Sequence, residues 1–229
     1  YSSLIIIPIS LFFLIQGSVF FTFFLFILFL ATSYEWMNMS KKNIPIKFLG
    51  IAFLIFSFYS AYKLRNHAGF DPFILIILVC IFTDIGGYVF GKFFKGPKLT
   101  RISPNKTYAG AIGGFTLSVV AVLTYKNYIN LEPLLVFSVS EKFGYNFDLS
   151  FLIFILAISL ISQIGDLIIS YFKRLAKVKD TGKIIPGHGG ILDRIDGLIF
   201  SVPISYLLMF LWKKKIAILG STGSIGENT

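Results

Sequence analysis

The chain carries a single cysteine, Cys80, among 229 residues. One thiol excludes an internal disulfide framework and leaves the redox compartment open. Charge is scarce as well. Asp, Glu, Lys and Arg make up 14% of the residues, against roughly 25% in soluble domains. The sequence also lacks an initiator Met, a signal-peptide cleavage pattern and a low-complexity linker, and no internal repeat is visible. It therefore reads as one unit, with room for further residues upstream of Tyr1.

What is abundant is apolar. Hydrophobic residues reach 55%, with 27 Phe, and the mean hydropathy is +0.80, which points to a bilayer rather than water as solvent. Apolar runs lie at 4–16, 18–34, 46–63, 72–91, 108–125, 149–170 and 197–212. A helical span needs roughly 20 residues, about 17 at the short end, so 4–16 and 197–212 are marginal. The first two runs, broken at Gln16, Gly17 and Ser18, read as a tight helical hairpin. Residues 131–139 are too few to cross and read as interfacial. The expected fold is all-α: a polytopic helical membrane protein of about seven transmembrane segments, one domain over 1–212 followed by a tail.

The net charge of +10 raises the question of nucleic acid. In so apolar a chain, basic loops facing anionic headgroups or a polyphosphate substrate are the better account, and no nucleic-acid partner is expected. Residues 92–107 hold Lys92, Lys95, Lys98, Arg101 and Lys106 without an acid, and residues 171–196 are also cation-rich. Two apolar segments separate these loops, so both fall on one face. The positive-inside rule makes that face cytoplasmic, with Lys41, Lys42 and Lys47 alongside. The intervening loop, with Glu132, Glu141 and Asp148, suits the opposite side.

Ionisable residues inside apolar segments are costly and generally face a bundle interior. Asp166 lies near the end of LSFLIFILAISLISQIGDLIIS, where Ser159, Ser162, Gln163, Asp166 and Ser170 recur at steps of three and four and share a helical face. Asp84, in IFTDIGGYVFGKF, sits at similar depth. Each reads as a site residue or as half of a structural ion pair. The stretch KRLAKVKDTGKIIPGHGGILDRID, residues 173–196, adds six cations and three carboxylates. Asp193 and Asp196 are three apart and share a face if a helix starts there. Carboxylates ringed by Lys and Arg at a membrane boundary suit Mg2+ with phosphates, because Mg2+ takes one or two protein carboxylates and completes its octahedron with water and substrate oxygens. Gly187, Gly189 and Gly190 let backbone N–H groups approach an anion closely.

The run Ser-x-Phe-Lys-Arg-x4-Lys-Asp-x-Gly-x2-Ile-Pro-x-His-Gly-Gly-Ile-x-Asp-Arg-Ile-Asp, from Ser170 to Asp196, resembles the pattern of phosphatidate cytidylyltransferases, the CDP-diacylglycerol synthases. The stretch TDIGGYVFGKFFKGPKLTRISPNKTYAGAIGG is similar to that family's middle region, including Ser-Pro-x-Lys-Thr at 103–107. With the spacing of the segments, the resemblance covers roughly 46–212. Ala109 and Ile169 stand where the family often has Glu. The resemblance implies transfer of the cytidylyl group of CTP to phosphatidic acid, giving CDP-diacylglycerol and pyrophosphate, at a site on the cytoplasmic face of a bacterial inner membrane. It further implies that Asp166 and Asp193 hold Mg2+, with Asp196 supporting them or binding a second cation, and Asp84 as a further candidate. Lys173, Arg174, Lys179 and Arg194 would neutralise phosphates. His188 would donate to a phosphate, orient a ligand or hold its turn, and Asp180 would fix a neighbouring Lys. Ser103, Lys106 and Thr107 would contact nucleotide or lipid phosphate, with the Gly189 and Gly190 amides nearby. A homodimer is a further expectation.

Two other classes share part of this vocabulary. CDP-alcohol phosphotransferases carry Asp-x2-Asp-Gly-x2-Ala-Arg; DRIDG at 193–197 satisfies the first half, but Phe200 and Ser201 replace Ala-Arg, and the later Gly-x3-Asp-x3-Asp is missing. A cation transporter or channel could use Asp84 and Asp166 as ion ligands, although it leaves the Gly-His-Gly-Gly turn without purpose. Residues 213–229, KKKIAILGSTGSIGENT, read as a short β-strand followed by Gly220, Gly223 and Gly226, and resemble the opening of 1-deoxy-xylulose-5-phosphate reductoisomerase, an NADPH enzyme. A dinucleotide site needs a βαβ unit of about 30 residues, so no NADPH binding is expected, and the tail reads as foreign to the fold or disordered. Its Lys213, Lys214 and Lys215 also conflict with the preferred topology.

Overall fold

The computed structural model describes residues 2–41, 43–100, 103–131, 149–185 and 189–223. Among them are seven helices and no strand: α1 (Ser2–Gln16), α2 (Ser18–Met39), α3 (Ile44–His67), α4 (Phe70–Phe94), α5 (Tyr108–Leu131), α6 (Leu149–Leu175) and α7 (Leu192–Gly223). The all-α polytopic expectation holds, and five stretches are long and apolar enough to cross a bilayer: Val19–Met39, Ile44–His67, Phe70–Phe94, Tyr108–Tyr125 and Phe151–Leu175. α1, with 15 residues, falls short of the roughly 17 needed. Large side chains that would be costly in water, among them Phe20, Phe23, Phe26, Phe48 and Phe93, lie exposed on the outside, as lipid contact requires.

Local sequence sets the breaks. α1 and α2 meet at Gly17, as the Gln16-Gly17-Ser18 interruption suggests. Asn43 caps α3 by accepting the Ile46 amide at 3.4 Å, with Pro45 in the first turn. Thr107 caps α5 by accepting the Gly110 amide at 3.1 Å, the usual task of an N-cap hydroxyl. Between α4 and α5 the chain makes an antiparallel bridge at Lys98 and Thr107, closed by Leu99 N–H to the Lys106 carbonyl at 2.8 Å.

α7 has 32 residues, about 48 Å at 1.5 Å per residue. Its backbone stays helical through Ile216, Ala217, Ile218 and Leu219. The expected strand there is thus overturned: an apolar run continuing directly from a helix adds helical hydrogen bonds, and no second strand is present among the described residues to pair with it. Residues 132–139 of the expected interfacial stretch and Gly226 lie outside the described residues.

α4 and α5 form the most extensive pairing, followed by α6 and α7. The first depends on glycine. A Cβ at Gly86 would run into the Gly113 carbonyl and lie 2.9 Å from the Gly114 Cα, so the two backbones touch. A main apolar cluster draws on all seven helices, around Phe21, Leu64, Phe73, Ile76, Val122, Ile155 and Val202. A second one joins Trp36, Leu54, Ile169, Leu192 and Ile199 at the end where the basic loops lie. Because backbone cannot yield as a side chain can, Gly86→Ala is expected to destabilise the protein by about 1–3 kcal/mol, measured by thermal unfolding in detergent. Gly87→Ala, where the nearest atom would be 3.9 Å away, should leave the transition where it is.

Candidate active site at the basic-loop end

α6 and α7 run antiparallel and approach closely, since a Cβ at Gly165 would lie 2.9 Å from the Asp196 carbonyl oxygen. This pairing sets two levels. Asp166 of α6 faces Asp196 of α7, within reach of a carboxyl–carboxyl hydrogen bond. One step toward the loops, Lys173 of α6 binds Asp193 of α7, Nζ to Oδ1, at 2.7 Å.

At the first level, Asp84 from α4 adds a third carboxyl that feels the charge of Asp166 and Asp196. The compensating cation comes from the other loop: Lys106 Nζ lies 2.5 Å from Asp166 Oδ2. Asp84, Ser103, Lys106, Thr107 and Asp166 line a cavity of about 300 Å3, with Thr83, Tyr88 and Gln163 among its other walls. Gln163 donates to the Ala111 carbonyl at 3.4 Å, which ties α6 to the start of α5. Two carboxyl groups, Asp84 and Asp166, thus face the cavity beside one paired ammonium, and Asp196 lies buried next to them.

The second level is a closed hydrogen-bond network. Asp193 Oδ2 accepts the Thr181 amide at 2.8 Å and the Gly190 amide at 3.1 Å, and Thr181 Oγ1 lies 3.0 Å away. Burial by itself would raise the Asp193 carboxyl, but the Lys173 bond and charge and these backbone donors outweigh it and hold it below the usual carboxylate range. Sequence reading treated Asp193 as a partner of Asp166; the structure instead joins Asp166 to Asp196 and Asp84, and gives Asp193 to Lys173 and the loop.

A residue that sequence reading missed completes this level. Glu35 of α2 is 1% exposed. It accepts the Ile191 amide at 2.9 Å and the Leu192 amide at 2.8 Å, with Thr181 Oγ1 at 3.0 Å. Its signal was available: an isolated acid in ATSYEWMNMS, inside an apolar segment, is the kind of residue that marks a site. Gly190 and Gly182 make room for it, because a Cβ at either would lie 2.5 Å from a Glu35 carboxylate oxygen. Of the glycines expected to expose amides to a ligand, Gly190 gives its amide to Asp193, and the Gly189 carbonyl accepts the Ile185 amide.

Of the other expected site residues, Arg174, Lys179, Asp180 and Arg194 are exposed and do not line the cavity, and Asp180 abuts Gly189. His188, with Pro186 and Gly187, lies outside the described residues. Ile169, where the resemblance has Glu, is buried in the Trp36 cluster, and Ala109 sits at the start of α5 beside Gly96.

Residues 44–212 match the cytidylyltransferase family. The chain belongs to this family. Among curated relatives, the phosphatidate cytidylyltransferase of Brucella suis biovar 1 (strain 1330) is 38% identical over 160 residues, covering 67% of this chain and 54% of that protein. The phosphatidate cytidylyltransferase of Staphylococcus aureus (strain COL) is 34% identical over 178 residues, covering 77% of this chain and 61% of its own length. The chain thus spans between half and two thirds of the relatives it matches. The matched residues contain Asp84, Lys106, Asp166, Lys173, Asp193 and Asp196, whereas Glu35 precedes them.

The two levels should separate in stability measurements. Asp193→Asn leaves Lys173 without its counter-charge in a poorly solvated place and is expected to cost about 3 kcal/mol. The wild-type contribution is present at neutral pH and fades as pH falls below about 4, the ordinary carboxylate value, toward the depressed folded one. Asp84→Asn removes like-charge repulsion and should leave the melting temperature unchanged or higher in EDTA. Thermal melts of the two variants at pH 7 check both signs.

Proposed function

We propose that this protein transfers the cytidylyl group of CTP to phosphatidic acid, releasing pyrophosphate and leaving CDP-diacylglycerol in the membrane. The observation that carries this reading is the convergence of Asp84 and Asp166 with Lys106 at a cavity at the basic-loop end of the bundle, with Asp196 buried against Asp166. Membership of the cytidylyltransferase family supports it, as do relatives named phosphatidate cytidylyltransferase. A phosphomonoester at neutral pH is already nucleophilic, so no strong base is needed. Its oxygen forms a bond to the α-phosphorus as the bond to the β-phosphate oxygen breaks, and the protein's task is positioning and charge neutralisation.

Lys106 fits the phosphate chain, released from Asp166 as phosphates come in, and Ser103 and Thr107 offer hydroxyls beside it. Arg174, Lys179 and Arg194, exposed in the same basic segment, attract both anionic substrates at longer range, and Lys173 acts through Asp193. The donor set also suits Mg2+. No group of three or more His, Cys, Asp or Glu with metal-holding geometry occurs among the described residues, but Mg2+ needs only one or two protein carboxylates beside substrate oxygens. Asp166 and Asp84 or Asp196 can supply these, and the excess of carboxyl groups over cations favours a divalent ion. When bound there, Mg2+ would supply electrostatic stabilisation of the charge that develops on the pyrophosphate leaving group.

Purified protein in detergent with CTP, phosphatidic acid and Mg2+ should form CDP-diacylglycerol. EDTA should abolish the activity, and Asp166→Asn or Asp196→Asn should reduce kcat by at least a hundredfold without loss of folded protein. Wild-type turnover in either variant overturns the assignment, and no product from folded wild-type protein overturns the function.

We also propose that both basic loops face the cytoplasm of a bacterial inner membrane, which the distribution of cations supports. Cysteines introduced at Lys98 and Lys177 in a Cys80→Ser background should react with an impermeant thiol reagent only once the cytoplasmic side is opened. Labelling of either in intact cells would contradict this orientation.

A further inference from the structure

Glu35 does not line the cavity, yet among the described residues its three polar contacts fall within the segment that leads into it. Two are to the amides of Ile191 and Leu192, at the start of α7, where backbone donors have no helical partner. The third is to Thr181 Oγ1, which also lies 3.0 Å from Asp193; its single proton serves one carboxylate at a time. Next to Glu35 in sequence, Trp36 packs edge-on against Phe172 of α6, with centroids 5.0 Å apart, and joins Leu192 in one apolar cluster. Consecutive residues of α2 therefore hold both helices that carry the facing carboxylates. Asp196 stands four residues after Leu192, about 6 Å along the same rigid helix, so its depth relative to Asp166 is set where Glu35 holds the helix start. A cap serving stability alone could be provided by a side chain next to α7 in sequence. Here the acceptor comes from a helix some 150 residues earlier in the chain, and Gly182 and Gly190 leave it room.

We propose that Glu35 is a positioning residue for the cytidylyl-transfer site: it fixes the start of α7 so that Asp196 meets Asp166 and Asp84 at a spacing that binds a divalent cation. The inference rests on the functional reading above in treating these carboxyls as the cation-facing set.

The test uses Glu35→Gln, which keeps the shape but places an amide NH2 where one of the backbone donors needs an acceptor. Mn2+ serves as the probe, its binding to detergent-solubilised full chain measured by electron paramagnetic resonance. We expect at least fivefold weaker Mn2+ binding. The Mg2+ concentration for half-maximal activity should rise in parallel, kcat should largely recover at high Mg2+, and amide exchange over 189–196 should be at least tenfold faster. Glu35→Asp, which keeps the charge but retracts it by one methylene, should fall between Gln and wild type, and it supplies the same readouts if Glu35→Gln does not accumulate as folded protein. A folded variant with a lower melting temperature but unchanged Mn2+ affinity and unchanged Mg2+ requirement would reduce Glu35 to a structural cap and overturn the proposal. So would a wild-type protein that binds no Mn2+. If wild-type protein binds Mn2+ but forms no CDP-diacylglycerol, the functional reading fails alone, and the Mn2+ and exchange measurements still decide the role of Glu35.

Discussion

The amides of Thr181, Gly190, Ile191 and Leu192 all point at carboxylate oxygens from within the chain, and the basic-loop end is organised around that fact. A loop that folds back onto a membrane domain cannot leave its N–H groups unsatisfied where water is scarce. Glu35 and Asp193 meet that requirement from opposite sides, with Thr181 between them. The glycines follow from the same constraint, since only a residue without Cβ lets a carboxylate lie against the backbone at 182 and 190. Lys173 then balances Asp193, which leaves the level beneath it free for chemistry.

Charge is distributed unevenly between the two levels, and that imbalance divides structure from function. The loop level is closed, with each carboxylate oxygen of Asp193 and Glu35 engaged by at least one donor. The cavity level gathers three carboxyl groups from α4, α6 and α7 against one ion-paired Lys. Such a group is unfavourable on its own, and the divalent cation and anionic substrate of the proposed function would relieve that cost together. The touching backbones of α4 and α5 carry Asp84 and the Ser103–Thr107 loop to the same cavity, so the glycine-rich hairpin is part of the site's framework.

Much of this was legible in the chain. Composition and run length led to a helical membrane domain, because a bilayer imposes a segment length that sequence cannot hide. Asp84 and Asp166 stood out because carboxylates in apolar surroundings are costly, and the spacing of cations placed the two basic loops on one side, where Lys106 now meets Asp166. The tail was read as a strand on local pattern alone; its continuity with α7 prevailed.

The sequence by itself determined the class of fold, the family and the residue types available for phosphate and metal chemistry, because hydropathy, charge and motif spacing are one-dimensional properties. Only the tertiary structure decided which carboxyl faces which. Asp193 and Asp196 lie three apart and look equivalent on paper, yet antiparallel packing of α6 and α7 sends one to Lys173 and the other to Asp166. Glu35 became meaningful for the same reason. Its partners lie some 150 residues away, and an interaction at that separation is set by how helices pack, which no local pattern records.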